Sequence, residues 1–270
     1  MTEIKNPMEI YKLLQGSNCR ECNEPTCLAF AAAVFKGQKR IDQCPYVDDQ
    51  IVEQFGEEMK ANNTAEIEIE KKFEELKNRI QTIDLPSIAD KLGGRFEENK
   101  LKLKVFGKDF CIDANGNLSS EIHIHRWITI PFLDYIVNGA GKAPTGRWVP
   151  LRELPNGRTW EKFFNHRAEI PLKKIADNYT ELFRDMIHIF SGKKIERMFA
   201  SDISLVLFPL PKFPMLINYW EPEDRLGSSL NVFFDDTAED NLSIESIYSL
   251  GTGIVIMFEK IVLRHGIRVE

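Results

Sequence analysis

The stretch ISLVLFPLPKFPMLINYW, residues 203–220, decides the fold of the larger part of the chain. Its two apolar runs, ISLVLFPL (203–210) and PMLINYW (214–220), are rich in β-branched and aromatic residues and are separated by Pro211 to Phe213. Runs this short, bounded by a turn, read as two strands paired in a hairpin. NVFFDD (231–236) supplies a third strand. Upstream, KLKLKVFG (100–107), DFCID (109–113) and LSSEIHIH (118–125) alternate apolar and polar residues, with Asn115-Gly116 as a hairpin turn. Helical patterns lie between and after these strands. One covers Ile130 to Val137, with Pro131 in its first turn and Gly139 past its end. A short one covers Thr159 to His166, and a long one runs from Pro171 to Phe190, closed by Ser191-Gly192. The last is SIESIYSLGTGIVIMFEKIVLRH (243–265), with Gly251 and Gly253 as points where it could be interrupted. Strands joined by hairpins, with helices grouped between them, define an α+β fold built on a mainly antiparallel sheet.

Towards the N-terminus, QFGEEMKANN (54–63) is polar and without hydrophobic period. It marks an expected boundary between a small module, residues 1–62, and the larger domain, residues 63–270. A helix is expected to start there, with Asn63 and Glu66 as a capping box. Ile69, Phe73, Leu76, Ile80 and Ile83 form its apolar stripe, and Pro86 lies beyond its end.

Composition is that of a globular chain with a packed core: 43% hydrophobic and 28% charged over 270 residues. A net charge of −6 argues against a general nucleic-acid binder. No run of 18 apolar residues occurs, so no membrane insertion is expected. The N-terminus, MTEIKNPMEIYKLLQG, lacks the pattern of a secretory signal, so the expected location is cytoplasmic.

Four of the five cysteines crowd into the first 44 positions, in the spacing Cys-x2-Cys-x4-Cys-x16-Cys-Pro. In a cytoplasmic chain such crowding points to metal rather than to disulfides. Cys19, Cys22 and Cys27 can wrap three corners of a [4Fe–4S] cube from one loop, and Cys44 closes the fourth. Thr26 is a good N-cap for the helix-forming run CLAFAAAVFK (27–36), which ends at Gly37. This places Cys27 at a helix N-terminus, where N–H groups and the dipole favour a thiolate. Pro45 fixes the turn after the last ligand. The rival readings are structural zinc, which usually uses two paired Cys-x2-4-Cys knuckles where this chain has one pair, and plain buried thiols. One [4Fe–4S] cluster held by Cys19, Cys22, Cys27 and Cys44 is the expected cofactor.

The string CRECNEPTCLAFAAAVFKGQKRIDQCP (19–45) resembles the iron–sulfur domain of the corrinoid iron–sulfur protein large subunit of acetyl-CoA synthesis. The matching positions are Cys19, Cys22, Pro25, Thr26, Cys27, Phe30, Ala31 and Cys44-Pro45. Asn23 stands where that family commonly has Gly, and Asn tolerates left-handed backbone angles. The rest of the chain lacks the Asp-x-His-x-x-Gly cobalamin motif and barrel periodicity. Instead, GRWVPLRELPNG (146–157) and NYWEPEDRLGSSLNVFFDDTAEDNL (218–242) look like an uncharacterised domain found beside such modules in anaerobes. The resemblance implies single-electron transfer to, or reductive activation of, a redox partner protein in a corrinoid-dependent methyl-transfer setting. The alternatives are a protein-binding module with a structural cluster, or an enzyme with a pocket in the second domain. No catalytic residues are legible.

Weaker signals have bland readings. Cys111 reads as a core thiol. His123 and His125, on one face of a strand, read as exposed rather than metal-binding. Lys142 and Arg147, in the Gly-rich loop 139–148, lack P-loop spacing, and Gly251-x-Gly253 lacks a third glycine. The acidic groups Glu221, Glu223, Asp224, Asp235, Asp236, Glu239 and Asp240 read as solvated loops. Around the cysteines, Lys12, Arg20, Lys36, Lys39 and Arg40 outnumber Glu21, Glu24 and Asp42, a local positive balance that could steer an acidic partner.

Overall fold

The computed structural model describes residues 6–35, 39–189, 193–194, 201–223 and 226–265. The chain forms two compact units, Met1–Lys71 and Lys72–Glu270. The ends expected at Gly37 and Ser191-Gly192, together with Lys36 and Asp224, lie outside the described residues.

The first unit is helical. Helix α1 (Pro7–Tyr11) starts after Asn6, whose Oδ1 accepts from the Met8 N–H at 3.0 Å. Helix α2 (Cys27–Phe35) is capped as the sequence reading expects, the Ala29 N–H donating to Thr26 Oγ1 at 3.0 Å. A 3-10 turn, Ile41–Gln43, leads to Cys44. Ile10, Leu14, Phe30, Ala31, Val34 and Ile41 pack with Cys22, Cys27 and Cys44 in one small core.

Helix α3 runs Asp49–Ile80, so it begins well before Asn63. Asp48 Oδ1, accepting from the Gln50 N–H at 2.9 Å, stands at its start. The stretch 54–63 therefore continues a helix and does not cap one. Glu, Gln, Met, Lys and Ala are strong helix formers, and a missing apolar period does not by itself end a helix.

The second unit opens with the last turns of α3, where Phe73, Leu76 and Ile80 enter its core. Next come α4 (Leu85–Ile88) and an antiparallel sheet in the order β1 (Arg95–Glu97), β2 (Lys100–Val105), β3 (Lys108–Asp113), β4 (Leu118–Ser120). Leu101, Leu103, Val105, Phe110 and Ile112 face the core. Cys111 alternates with them and is half-buried opposite Lys102, so it is not the core thiol expected. The last strand stops at Ser120, and His123 and His125 sit in the irregular segment that follows.

Helix α5 (Arg126–Asn138) starts four residues earlier than the sequence pattern placed it, which puts Pro131 in its interior. Proline has no N–H to offer Trp127, four residues back, and the Ser249 hydroxyl donates to that carbonyl at 3.4 Å. After β5 (Trp148–Pro150) and a 3-10 turn, Leu151–Glu153, come three helical segments joined without a gap: α6 (Gly157–Phe164), a π-helical segment Asn165–Glu169, and α7 (Ile170–Asn178). The single long helix expected from Pro171 is divided at Tyr179, whose non-helical backbone (φ −140°, ψ 51°) separates α7 from α8 (Thr180–Ile189).

A second antiparallel sheet holds β5 and four later strands: β6 (Lys193–Lys194), β7 (Ile203–Leu210), β8 (Phe213–Trp220) and β9 (Ser229–Asp235). Their spatial order is β5-β9-β8-β7-β6. The hairpin read from residues 203–220 is β7–β8. Every residue of β8 but Trp220 is buried, which explains its unbroken apolar run. After α9 (Ala238–Asn241), helix α10 (Ile244–His265) continues through Gly251 and Gly253. These glycines make room for neighbours: a Cβ at 251 would lie 2.3 Å from Phe164 and one at 253 would lie 2.1 Å from Trp127. Within α10, Ile244–Leu263 is long and apolar enough, by length and composition alone, to cross a bilayer. Its Ile247, Leu250, Ile254 and Phe258 are buried in the core of this unit.

Candidate metal centre

The loop before α2 has unusual backbone. Asn18, Arg20 and Asn23 all have positive φ (52°, 67° and 60°), and the Asn23 N–H closes a tight turn on the Arg20 carbonyl at 3.0 Å. Asn adopts this region more readily than most residues, whereas Arg20 is held there at a cost. Asn23 thus takes the left-handed angle that Gly would supply in the related motif. The coil packs Cys22 and Cys27 into the core, and the 3-10 turn returns Cys44 to it; these three thiols are under a tenth exposed. Cys19 is on the surface.

The four sequence-predicted thiols form one electrostatic neighbourhood. Burial pushes the Cys44 thiol above its ordinary value, the backbone N–H of Tyr46 opposes this, and nearby Cys22, Cys27 and Cys19 push it further up. Among the described residues no group of three or more His, Cys, Asp or Glu side chains is placed to hold a single metal ion. The thiols thus share a neighbourhood without converging on one point.

Several polar residues that the cysteine spacing does not announce fasten this loop. Asn18 Oδ1 accepts from the Cys27 N–H at 2.8 Å, and the Asn18 N–H donates to Cys27 Sγ at 3.3 Å. Lys39 Nζ donates to the Cys22 carbonyl at 2.6 Å and pairs with Glu24 at 3.2 Å. Arg40 is paired with Asp42. Two of the five basic residues that could steer a partner are therefore engaged within the loop itself. Tyr46 donates to Glu21 Oε1 at 2.7 Å, and that hydrogen bond, together with the carboxylate's charge, holds the phenol above its usual range. Only the contacts reveal these partners, since Asn, Lys and Tyr are ordinary residues at such positions.

The second unit places its weaker candidates in structural roles. The His123 and His125 rings meet edge-on at 4.4 Å, and burial, with Lys260 and His123 nearby, holds His125 below its ordinary value. Lys142 is paired with Asp240 at 2.9 Å. Asp235, read as part of a solvated loop, is buried. It accepts from the Thr145 N–H (3.1 Å), the Gly146 N–H (2.7 Å) and the Thr237 hydroxyl (2.7 Å). Glu239 accepts from the Asn156 N–H at 2.9 Å. These acids fasten the Gly-rich loop and the start of α6. An open cleft of about 430 Å³ lies beside the π-helical segment, lined among others by Arg152, Glu161, Phe164, Glu169 and Asn231. Of its charged residues, Arg152 pairs with Glu161 at 3.3 Å, and Glu169 accepts from the Val232 N–H at 2.9 Å.

In class, the chain is an α+β protein whose N-terminal helical unit holds three cysteines in its core. Residues 14–46 match the family model described as "Putative Fe-S cluster". The chain belongs to the family described as "Domain of unknown function (DUF3786)", whose model matches residues 84–257, well over half its length. Among curated proteins it is similar to the corrinoid/iron-sulfur protein large subunit of Moorella thermoacetica, 55% identical over 42 residues, which are 16% of this chain and 9% of that protein. It is also similar to acetyl-CoA decarbonylase/synthase complex subunit gamma 1 of Methanosarcina thermophila, 30% identical over 125 residues, 46% of this chain and 25% of that one. The gamma subunit of Methanocaldococcus jannaschii is 46% identical over 41 residues, 15% and 8% of the two chains. The matches thus span a quarter or less of each of these relatives' length. No solved structure matches.

Proposed function

We propose that this chain is a single-electron carrier, or a reductive activator of a partner protein, that holds one [4Fe–4S] cluster through Cys19, Cys22, Cys27 and Cys44. What supports the reading is that all four cysteines lie in the segment that matches an iron–sulfur family model, with Cys22, Cys27 and Cys44 in one small core. Soft thiolates are the donors an iron–sulfur cluster requires. Such a group supplies one-electron chemistry when bound. The chain's own contribution is to bury three of the ligands, to leave Cys19 at the surface as the side a redox partner reaches, and to direct N–H groups at sulfur. The named relatives belong to corrinoid and acetyl-CoA decarbonylase/synthase systems, so a corrinoid-related partner in the cytoplasm is part of the proposal.

A second reading, a structural cluster in a protein-binding module, is favoured by one fact. Cys22, Cys27 and Cys44 belong to the small core of the first unit, so bound iron would also hold that unit together. Anaerobic purification followed by iron and sulfide analysis and a redox titration tests both. About four irons and four sulfides per chain are expected, with a reversible one-electron couple. A cluster inert across the accessible range leaves the structural reading, and stoichiometric zinc in protein never exposed to air rejects both.

A further inference from the structure

We infer that Asn18 is the positioning residue that directs a hydrogen bond onto the Cys27 sulfur and thereby raises the reduction potential of the cluster; this rests on the cluster reading above.

Asn18 makes two bonds to one cysteine across nine positions of sequence. Its side chain accepts from the Cys27 N–H at 2.8 Å, and its own N–H donates to Cys27 Sγ at 3.3 Å, within range for a donor to sulfur. Cys27 is the first residue of α2, so its N–H is one of those a helix start leaves unsatisfied. Asn18 supplies the missing acceptor, and that bond fixes where its own N–H points. The backbone of Asn18, at φ 52°, lies in the left-handed region, which Asn tolerates better than Ala or a β-branched residue. Acceptor reach, left-handed backbone and a short side chain are therefore needed together at position 18.

The chemical consequence follows from charge. A hydrogen bond donated to a ligand sulfur stabilises whichever state carries more negative charge on the cluster and its thiolates. Reduction adds one electron, so the N–H favours the reduced form. Releasing the clamp lets the N–H swing away from sulfur and shifts the potential downwards. Differential stabilisation of roughly one hydrogen bond is about tenfold in the reduction equilibrium, about 59 mV for a one-electron couple.

Full-length Asn18→Gly keeps the left-handed backbone and loses the acceptor, while Asn18→Ser restores a shorter acceptor. The measurements are iron content, midpoint potential, and the shift of the Fe–S(Cys) Raman bands between H2O and D2O, which reports N–H donors to sulfur. Asn18→Gly is expected to retain iron, titrate at lower potential and lose part of the isotope shift, with Asn18→Ser in between. If Asn18→Gly loses its iron, Asn18→Ser decides: retained iron at a potential below that of the parent supports the clamp, and an unchanged or higher potential, or lost iron, overturns it. An Asn18→Gly protein with the parent's potential and isotope shift also overturns the inference while leaving the cluster reading intact. Absence of iron and sulfide from the parent protein would instead fail the cluster reading itself.

Discussion

At the scale of single residues, small side chains in this protein do work that their sequence context hides. Gly251 and Gly253 look like helix breakers, yet α10 passes through both. What they provide is space, because Phe164 and Trp127 lie where a Cβ would go. Gly251→Ala sets two effects against each other. Alanine gains about 1 kcal/mol of helix propensity, while overpacking costs about 1–3 kcal/mol. Phe164 is 1% exposed and has little room to retreat, so overpacking should win. The variant is expected to unfold at lower denaturant concentration than the parent; an equal or higher midpoint would show that Phe164 can yield. Asn18 and Asn23 stand where the backbone of the first unit takes positive φ, and Asn18 also supplies an acceptor for the Cys27 N–H.

At the scale of elements, buried carboxylates tie the loops to the strands and helices. Asp235, at the end of β9, gathers donors from Thr145, Gly146 and Thr237. Asp134, on α5, receives the N–H and hydroxyl of Ser243 at 3.0 and 2.6 Å. Burial alone would raise both carboxyls, but the hydrogen bonds outweigh it and hold each below its ordinary value. The folded-state values are thus depressed relative to the unfolded chain. Their contribution to stability is complete above about pH 4, the unfolded aspartate value, and is lost as pH falls through the lower folded values. Thermal unfolding of the second unit should therefore move to lower temperature as the solution is acidified below about pH 4. Asp235→Asn should weaken that dependence; an unchanged slope would mean that Asp235 is not held in its charged form. The Gly-rich loop 139–148, which invites an anion-binding reading, is occupied by these internal contacts.

At the scale of the whole molecule, the two units rest on different sources of stability. The second buries a large core of Phe, Leu, Ile and Tyr from two sheets and several helices. Among the described residues, the first has a core of nine buried residues, three of them cysteines. Cores this small rarely hold a domain without a metal or cross-link. Removing bound iron from the full chain by anaerobic chelation should release amide protection in residues 6–35 and leave protection in β7, β8 and β9 unchanged. Hydrogen exchange read by mass spectrometry distinguishes this from joint unfolding of both units, which would contradict independent stability. Cys27→Ala should mimic chelation, because it removes a proposed ligand that is also a core residue.

The sequence by itself determined much of this protein. The β7–β8 hairpin, the strand at 231–235, the helix after Thr26 and the α+β class all follow from local patterns: apolar periodicity, turn residues and a capping hydroxyl. The crowding of four cysteines was equally legible, since spacing along the chain is local. Only the tertiary structure decided the rest. It carried a helix through the polar stretch 54–63, where good helix formers prevail over a missing apolar stripe. Pro131 came to lie inside α5, where Ser249 from another helix answers the freed carbonyl. Cys111 was turned away from the core because strand alternation, not residue preference, sets its face. The acids at 235–240 became internal fasteners, and Asn18 was brought onto Cys27. These outcomes depend on partners far along the chain, and a hydrogen bond or a packed ring between distant residues leaves no periodicity in either segment.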